Sequence, residues 1–82
     1  MTENEIKETL VNALVTLFEV DPNEITLETN LYEDLEIDSI DAIDLIDHIK
    51  KQTGYKLQAE SFRSVRTVND VIIAITKLSN EN

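Results

Sequence analysis

One proline, Pro22, and one glycine, Gly54, are all that 82 residues contain of either type. A chain built mostly of strands needs many more turn residues, so this scarcity points to helices. The apolar spacing agrees. Ile6, Leu10, Ala13, Leu14, Leu17 and Phe18 recur three and four residues apart. That spacing draws one stripe along a helix from about Glu3 to Phe18. Asp21-Pro22-Asn23 ends the pattern, because proline forces the residue before it into extended geometry and Asp and Asn favour turns.

Residues 19 to 38 carry no helical period. Ile25 and Leu27 alternate as in a strand, yet no partner strand is evident. So long a connection needs anchors, and Leu31, Leu35 and Ile37 can supply them. A second helix is predicted to start at Asp38-Ser39. Asp38 is a good N-cap, and Asp41 three residues on favours the positive helix start. Ile43, Leu45, Ile46 and Ile49 are expected on its buried face. Gly54 ends it, with Lys50 and Lys51 in the last turn. A short helical turn is expected around Ala59 to Ser64. The last helix opens at Thr67, with Asp70 at the third position and Val68, Val71, Ile72, Ile75 and Leu78 as its stripe. The reading is all-α: a small four-helix bundle of three main helices and one short one, in a single domain over residues 1–82.

Charge narrows the function. Seventeen acids against seven bases give a net charge of -10. A nucleic-acid binder working through its own positive field is excluded, and attraction to anionic lipid is disfavoured. Hydrophobic residues make up 41%, too many for a disordered chain. There is no Cys, so disulfides, thiolate metal sites and a protein-borne nucleophilic thiol are excluded. His48 stands alone, which excludes a multi-histidine metal centre. No apolar run is long enough to span a membrane, and the acidic start does not read as a secretory signal. A cytoplasmic location is expected.

From Glu8 to Ile49 there is no basic residue, while 12 acids occur. A surface normally mixes signs. The segregation reads either as a solubility face or as a docking face for basic partners. On the second helix, Asp41, Asp44, Asp47 and His48 fall on one side, with Ile40 set among the carboxylates as a candidate contact. The acids do not form a calcium loop: they stand three apart, without the required glycine. Magnesium or calcium could screen them only loosely. Ser39 is the hydroxyl at the helix start, where free N–H groups and a positive partial charge suit a phosphate. It is either a residue of the cap or an attachment point. It is not a self-contained nucleophile, because His48 lies nine residues along the helix, about 13 Å away by rise alone.

Leu35-Glu36-Ile37-Asp38-Ser39-Ile40-Asp41 resembles the Asp-Ser-Leu-Asp region of acyl carrier proteins. Leu31-Tyr32-Glu33-Asp34-Leu35 is similar to that family's lead-in, Asp44-Leu45-Ile46 to its acidic-apolar run, and Thr67-Val68-Asn69-Asp70-Val71-Ile72 to its last helix start. The resemblance covers nearly the whole chain. It implies that Ser39 carries 4′-phosphopantetheine, transferred from coenzyme A by a phosphopantetheinyl transferase. The arm would supply the thiol that the chain lacks. Asp38, Ile40, Asp41 and Asp44 would dock the transferase and the basic chain-building enzymes, with the protein itself a monomeric carrier and not an enzyme. The family commonly has glycine where Glu36 stands, an apolar residue at Asp47, and acids at Lys50 and Lys51. These departures bear on housekeeping fatty-acid partners and leave a specialised, polyketide-like pathway open. A carrier of amino acids in a non-ribosomal or cell-wall pathway, and a non-covalent acidic interaction module, are the competing readings.

Overall fold

A computed structural model describes residues 2–80. Four helices follow in order: α1, Glu3–Phe18; α2, Ser39–Thr53; α3, Ala59–Arg63; and α4, Val68–Asn80. A single 3-10 turn, Pro22–Glu24, follows α1, where Asp21 accepts the Asn23 N–H at 2.9 Å. The expected three long helices and one short one are all present.

Local chemistry sets the ends. Thr2 Oγ1 accepts the Glu5 N–H at 3.2 Å, and the Glu5 carboxylate accepts the Thr2 N–H at 3.0 Å. This reciprocal cap satisfies two donors that α1 would leave open. It also holds the Glu5 carboxyl below its ordinary range. At the other end Glu19 turns left-handed, φ 55°, and its N–H closes on the Val15 carbonyl at 3.0 Å. Gly54 ends α2 in the same left-handed region, φ 83°, where glycine has no side chain to clash.

The core is one cluster. α1 packs against both α2 and α4, bringing Ile6, Leu10, Ala13 and Leu14 against Leu45, Ile46 and Ile49 and against Val68, Val71, Ile72 and Ile75. Each large side chain buried this way contributes about 1.5–3 kcal/mol. Phe62 anchors the short α3 in the same cluster. Ile43 departs from the expectation. It is 56% exposed, and Ala42 completes the buried face of α2 in its place. Ile43 sits about 110° around the helix from the centre of the arc formed by Ala42, Leu45, Ile46 and Ile49, so it cannot reach α1.

The long connection is anchored. Leu31 and Ile37 are buried and Leu35 is half-buried. Ile25 joins the core, whereas Leu27 stays exposed. Instead of a partner strand, the segment has an isolated antiparallel bridge between Asn30 and Thr67. Around it the Leu31 N–H reaches the Arg66 carbonyl at 2.8 Å, and the Val68 and Asn69 N–H groups reach the Thr29 and Leu27 carbonyls at 3.0 Å. Thr29 is buried at the centre of this clamp. Its hydroxyl accepts from the Thr26 N–H at 2.8 Å and lies 3.4 Å from the Glu24 carbonyl.

Candidate functional site at the start of α2

Asp38 precedes α2 in extended geometry, φ -98° and ψ -176°. Its Oδ1 accepts the N–H groups of Ile40 at 3.0 Å and Asp41 at 2.9 Å. Asp41 Oδ2 answers with a long contact, 3.4 Å, to the Asp38 N–H. The carboxylates thus fix the first turn and place acceptors at the positive end of the helix dipole. What they do not cover is Ser39. Its side chain is exposed, and among the described residues neither its hydroxyl nor its N–H has a hydrogen-bond partner. A hydroxyl held on a rigid helix start, beside a free N–H and open to solvent, can be reached by another protein. The same helix start suits a phosphate on its oxygen.

The exposed apolar patch beside Ser39 is larger than expected. Ile40 is 71% exposed, and Ile43, one turn on, joins it. Asp44 and Asp47 flank the pair, both exposed, while Asp41 and His48 are half-buried at its edge. The sequence reading put Ile43 on the buried face, but its direction, about 110° from the centre of that arc, turns it to solvent beside Ile40. Five bridging positions thus share one surface with Ser39 at its tip: Ile40, Asp41, Ile43, Asp44 and Asp47.

Acidity at this end has two origins. Asp21, Asp34, Asp38 and Asp41 take backbone N–H groups; Asp34 Oδ2 accepts the Asn30 N–H at 2.8 Å. The charge of these four sits on turn and cap chemistry. The side chains of Glu33, Glu36, Asp44 and Asp47 make neither hydrogen bond nor ion pair among the described residues. Those carboxylates remain fully available to a cationic partner.

No three His, Cys, Asp or Glu side chains among the described residues converge to hold a metal ion. No described helix is long and apolar enough to cross a membrane. An open groove of about 420 Å³ lies away from Ser39, between α3 and α4, lined by Leu57, Val65, Ile73, Ala74 and Leu78 among others.

A profile of the family described as "Phosphopantetheine attachment site" matches residues 8–75. Acyl carrier protein 2 of Ralstonia nicotianae is 45% identical over 78 residues, covering 95% of this chain and 96% of its own. The meromycolate extension acyl carrier protein of Mycolicibacterium smegmatis is 32% identical over 81 residues, 99% of this chain and 82% of its own. The acyl carrier protein of Coprothermobacter proteolyticus is 33% identical over 72 residues, 88% of each chain. A helical bundle with an open serine at a capped helix start, and a family match across most of its length, place this chain among the acyl carrier proteins, which carry 4′-phosphopantetheine.

Proposed function

We propose that Ser39 is the attachment point of the 4′-phosphopantetheine arm, and that Asp38, Ile40, Asp41 and Asp44 are the docking surface for the phosphopantetheinyl transferase and the chain-building enzymes. The carrying observation is that Ser39 is exposed and has no hydrogen-bond partner among the described residues, at a helix start where Asp38 caps the Ile40 and Asp41 N–H groups. Its hydroxyl oxygen attacks the coenzyme A phosphorus that bears the pantetheine, and the new O–P bond forms as the pyrophosphate P–O bond breaks and adenosine 3′,5′-bisphosphate leaves. The hydroxyl proton leaves to a base of the transferase, because His48 stands about 13 Å along the helix and cannot take it. The Ser39 N–H and the dipole of α2 stabilise the phosphate that results. Once attached, the arm supplies the thiol on which an acyl group is held as a thioester; the chain has no Cys to do so.

In this reading residues 1–82 form one carrier domain, monomeric through the mutual repulsion of a net charge of -10, acting in the cytoplasm and leaving catalysis to its partners. The cargo is an acyl chain of fatty-acid or specialised lipid type. The names of the relatives, one of them a meromycolate extension carrier, favour this over an amino acid.

Ser39→Ala tests the attachment point. Incubated with coenzyme A and a phosphopantetheinyl transferase, the variant is expected to keep its helical circular dichroism and stay at unmodified mass, while the wild type gains one arm. Mass gain by the variant refutes the assignment. The docking surface is tested by Asp41→Lys with Asp44→Lys. Modification should slow by roughly tenfold at low salt, with the gap narrowing as salt rises. Equal rates at low salt count against electrostatic docking.

A further inference from the structure

Two non-glycine residues of the described chain adopt left-handed backbone geometry, Glu19 and Glu36, each with φ 55°. That geometry costs an L-residue free energy that glycine is spared. Glu19 uses it to close α1. At Glu36 the turn is equally necessary. It returns the Ile37 N–H to the Leu31 carbonyl at 3.0 Å, buries the Ile37 side chain and leads into the extended cap residue Asp38. This accounts for the conformation and not for the carboxylate. The Glu36 side chain is exposed and makes no hydrogen bond or ion pair among the described residues. Glycine would meet the same need with less strain.

Position supplies what the fold does not. Glu36 precedes Ser39 by three residues, so the two Cα atoms lie within about 11 Å. That is somewhat beyond the Debye length at physiological salt, about 8 Å, and well inside the length of about 30 Å at 0.01 M salt. Any protein that reaches the Ser39 hydroxyl enters the field of this carboxylate. We infer that Glu36 is a specificity-determining residue for the modification of Ser39, its carboxylate read by a cationic side chain of the phosphopantetheinyl transferase. The inference rests on Ser39 being the attachment point.

Two variants separate charge from conformation. Glu36→Gln keeps the side-chain length and the strained turn but removes the charge. Glu36→Gly removes both charge and strain. Initial rates of arm transfer are measured with coenzyme A and the transferase at about 20 mM and about 300 mM salt, alongside thermal midpoints and Ser39→Ala. Both Glu36 variants are expected to lose roughly three- to fivefold in kcat/KM at low salt, with most of the loss gone at high salt. The glycine variant should melt several degrees higher than wild type, and the glutamine variant at the same temperature. Wild-type rates for both variants overturn the inference, as does a loss confined to the glycine variant, which would make turn rigidity the quantity read. If Ser39→Ala stays inert in the same assay, such a failure falls on Glu36 alone. If Ser39→Ala is modified, the attachment reading has failed first.

Discussion

Two helix starts in this chain use the same capping chemistry and end in opposite states. At α2, Asp38 accepts from the Ile40 and Asp41 N–H groups and Asp41 reaches back. At α4, Thr67 Oγ1 accepts the Asp70 N–H at 3.2 Å, and Asp70 Oδ2 accepts those of Thr67 at 3.2 Å and Arg66 at 3.1 Å. The difference lies in what meets the remaining donors. At α4 the carbonyls of Thr29 and Leu27 close over the Val68 and Asn69 N–H groups. At α2 no segment among the described residues crosses, and the Ser39 N–H and hydroxyl have no partner among them. A cap makes a helix start; a second segment decides whether that start is buried structure or an accessible site. The long connection therefore serves both ends. Its middle locks α4, and its last residues deliver Asp38 and leave Ser39 uncovered.

If the α4 start is purely structural, breaking it should reduce stability and spare the chemistry. Asp70→Ala removes the acceptor of two backbone N–H groups in a half-buried setting. The expected loss is about 2 kcal/mol, or roughly 10 °C in thermal midpoint. Arm transfer to Ser39, measured well below the new midpoint, should keep the wild-type rate. Acid sharpens the same test. The Arg66 N–H, followed by that of Thr67, holds the Asp70 carboxyl below its ordinary range. A carboxylate with a depressed folded pKa adds stability above its unfolded pKa, about 4, and that stability is lost as pH falls through the folded value. The stability gap between wild type and variant should therefore be full at neutral pH and shrink below about pH 4. A gap that is constant across this range would show that the carboxylate charge plays no part.

The clamp itself gives the next effect. Thr29→Val keeps the shape of a buried side chain and deletes the hydroxyl that serves Thr26 and faces Glu24. The expected cost is about 1.5 kcal/mol, because the Thr26 N–H loses its partner. Hydrogen exchange should rise at the Val68 and Asn69 amides, which depend on the same segment, and not at Ile40 or Asp41. Faster exchange at both helix starts alike would deny that the clamp serves α4 selectively.

These contrasts mark where the sequence was readable. The bounds of α1 and α2 followed from apolar stripes and from Asp38, Pro22 and Gly54, because those residues act on their own neighbours. The place of Ser39 at the helix start was legible for the same reason: its position relative to Asp38 and Asp41 is local. The clamp was not. The bonds from Leu31 to Arg66 and from Val68 to Thr29 join backbone groups, which every residue carries and no side chain announces. Ile43 was misplaced because its direction, about 110° from the centre of the buried arc, turns it to solvent. The left-handed turn at Glu36 was not announced by the residue itself, since glutamate does not favour it; the glycine common at that place in the resembling family was the one hint. The roles of Asp21 and Asp34 as backbone acceptors were hidden within a charge pattern that looked uniform.

The smallest expected effect on stability is the one that sharpens the comparison most. Asparagine caps a helix about as well as aspartate, so Asp38→Asn keeps an oxygen for the Ile40 and Asp41 N–H groups and removes one charge from an exposed site. Stability should fall by about 0.5 kcal/mol or less, the value of a negative charge at a helix start. Arm transfer should nevertheless slow by roughly two- to threefold at low salt, because a cationic partner loses one carboxylate adjacent to Ser39. Asp70→Ala is the mirror image: a large change in midpoint with no change in rate. Measured together by calorimetry and by the mass of the modified protein, the two variants should separate along different axes. If Asp38→Asn lowers the midpoint as far as Asp70→Ala does, the α2 start is structural too, and its openness around Ser39 would not distinguish it from α4.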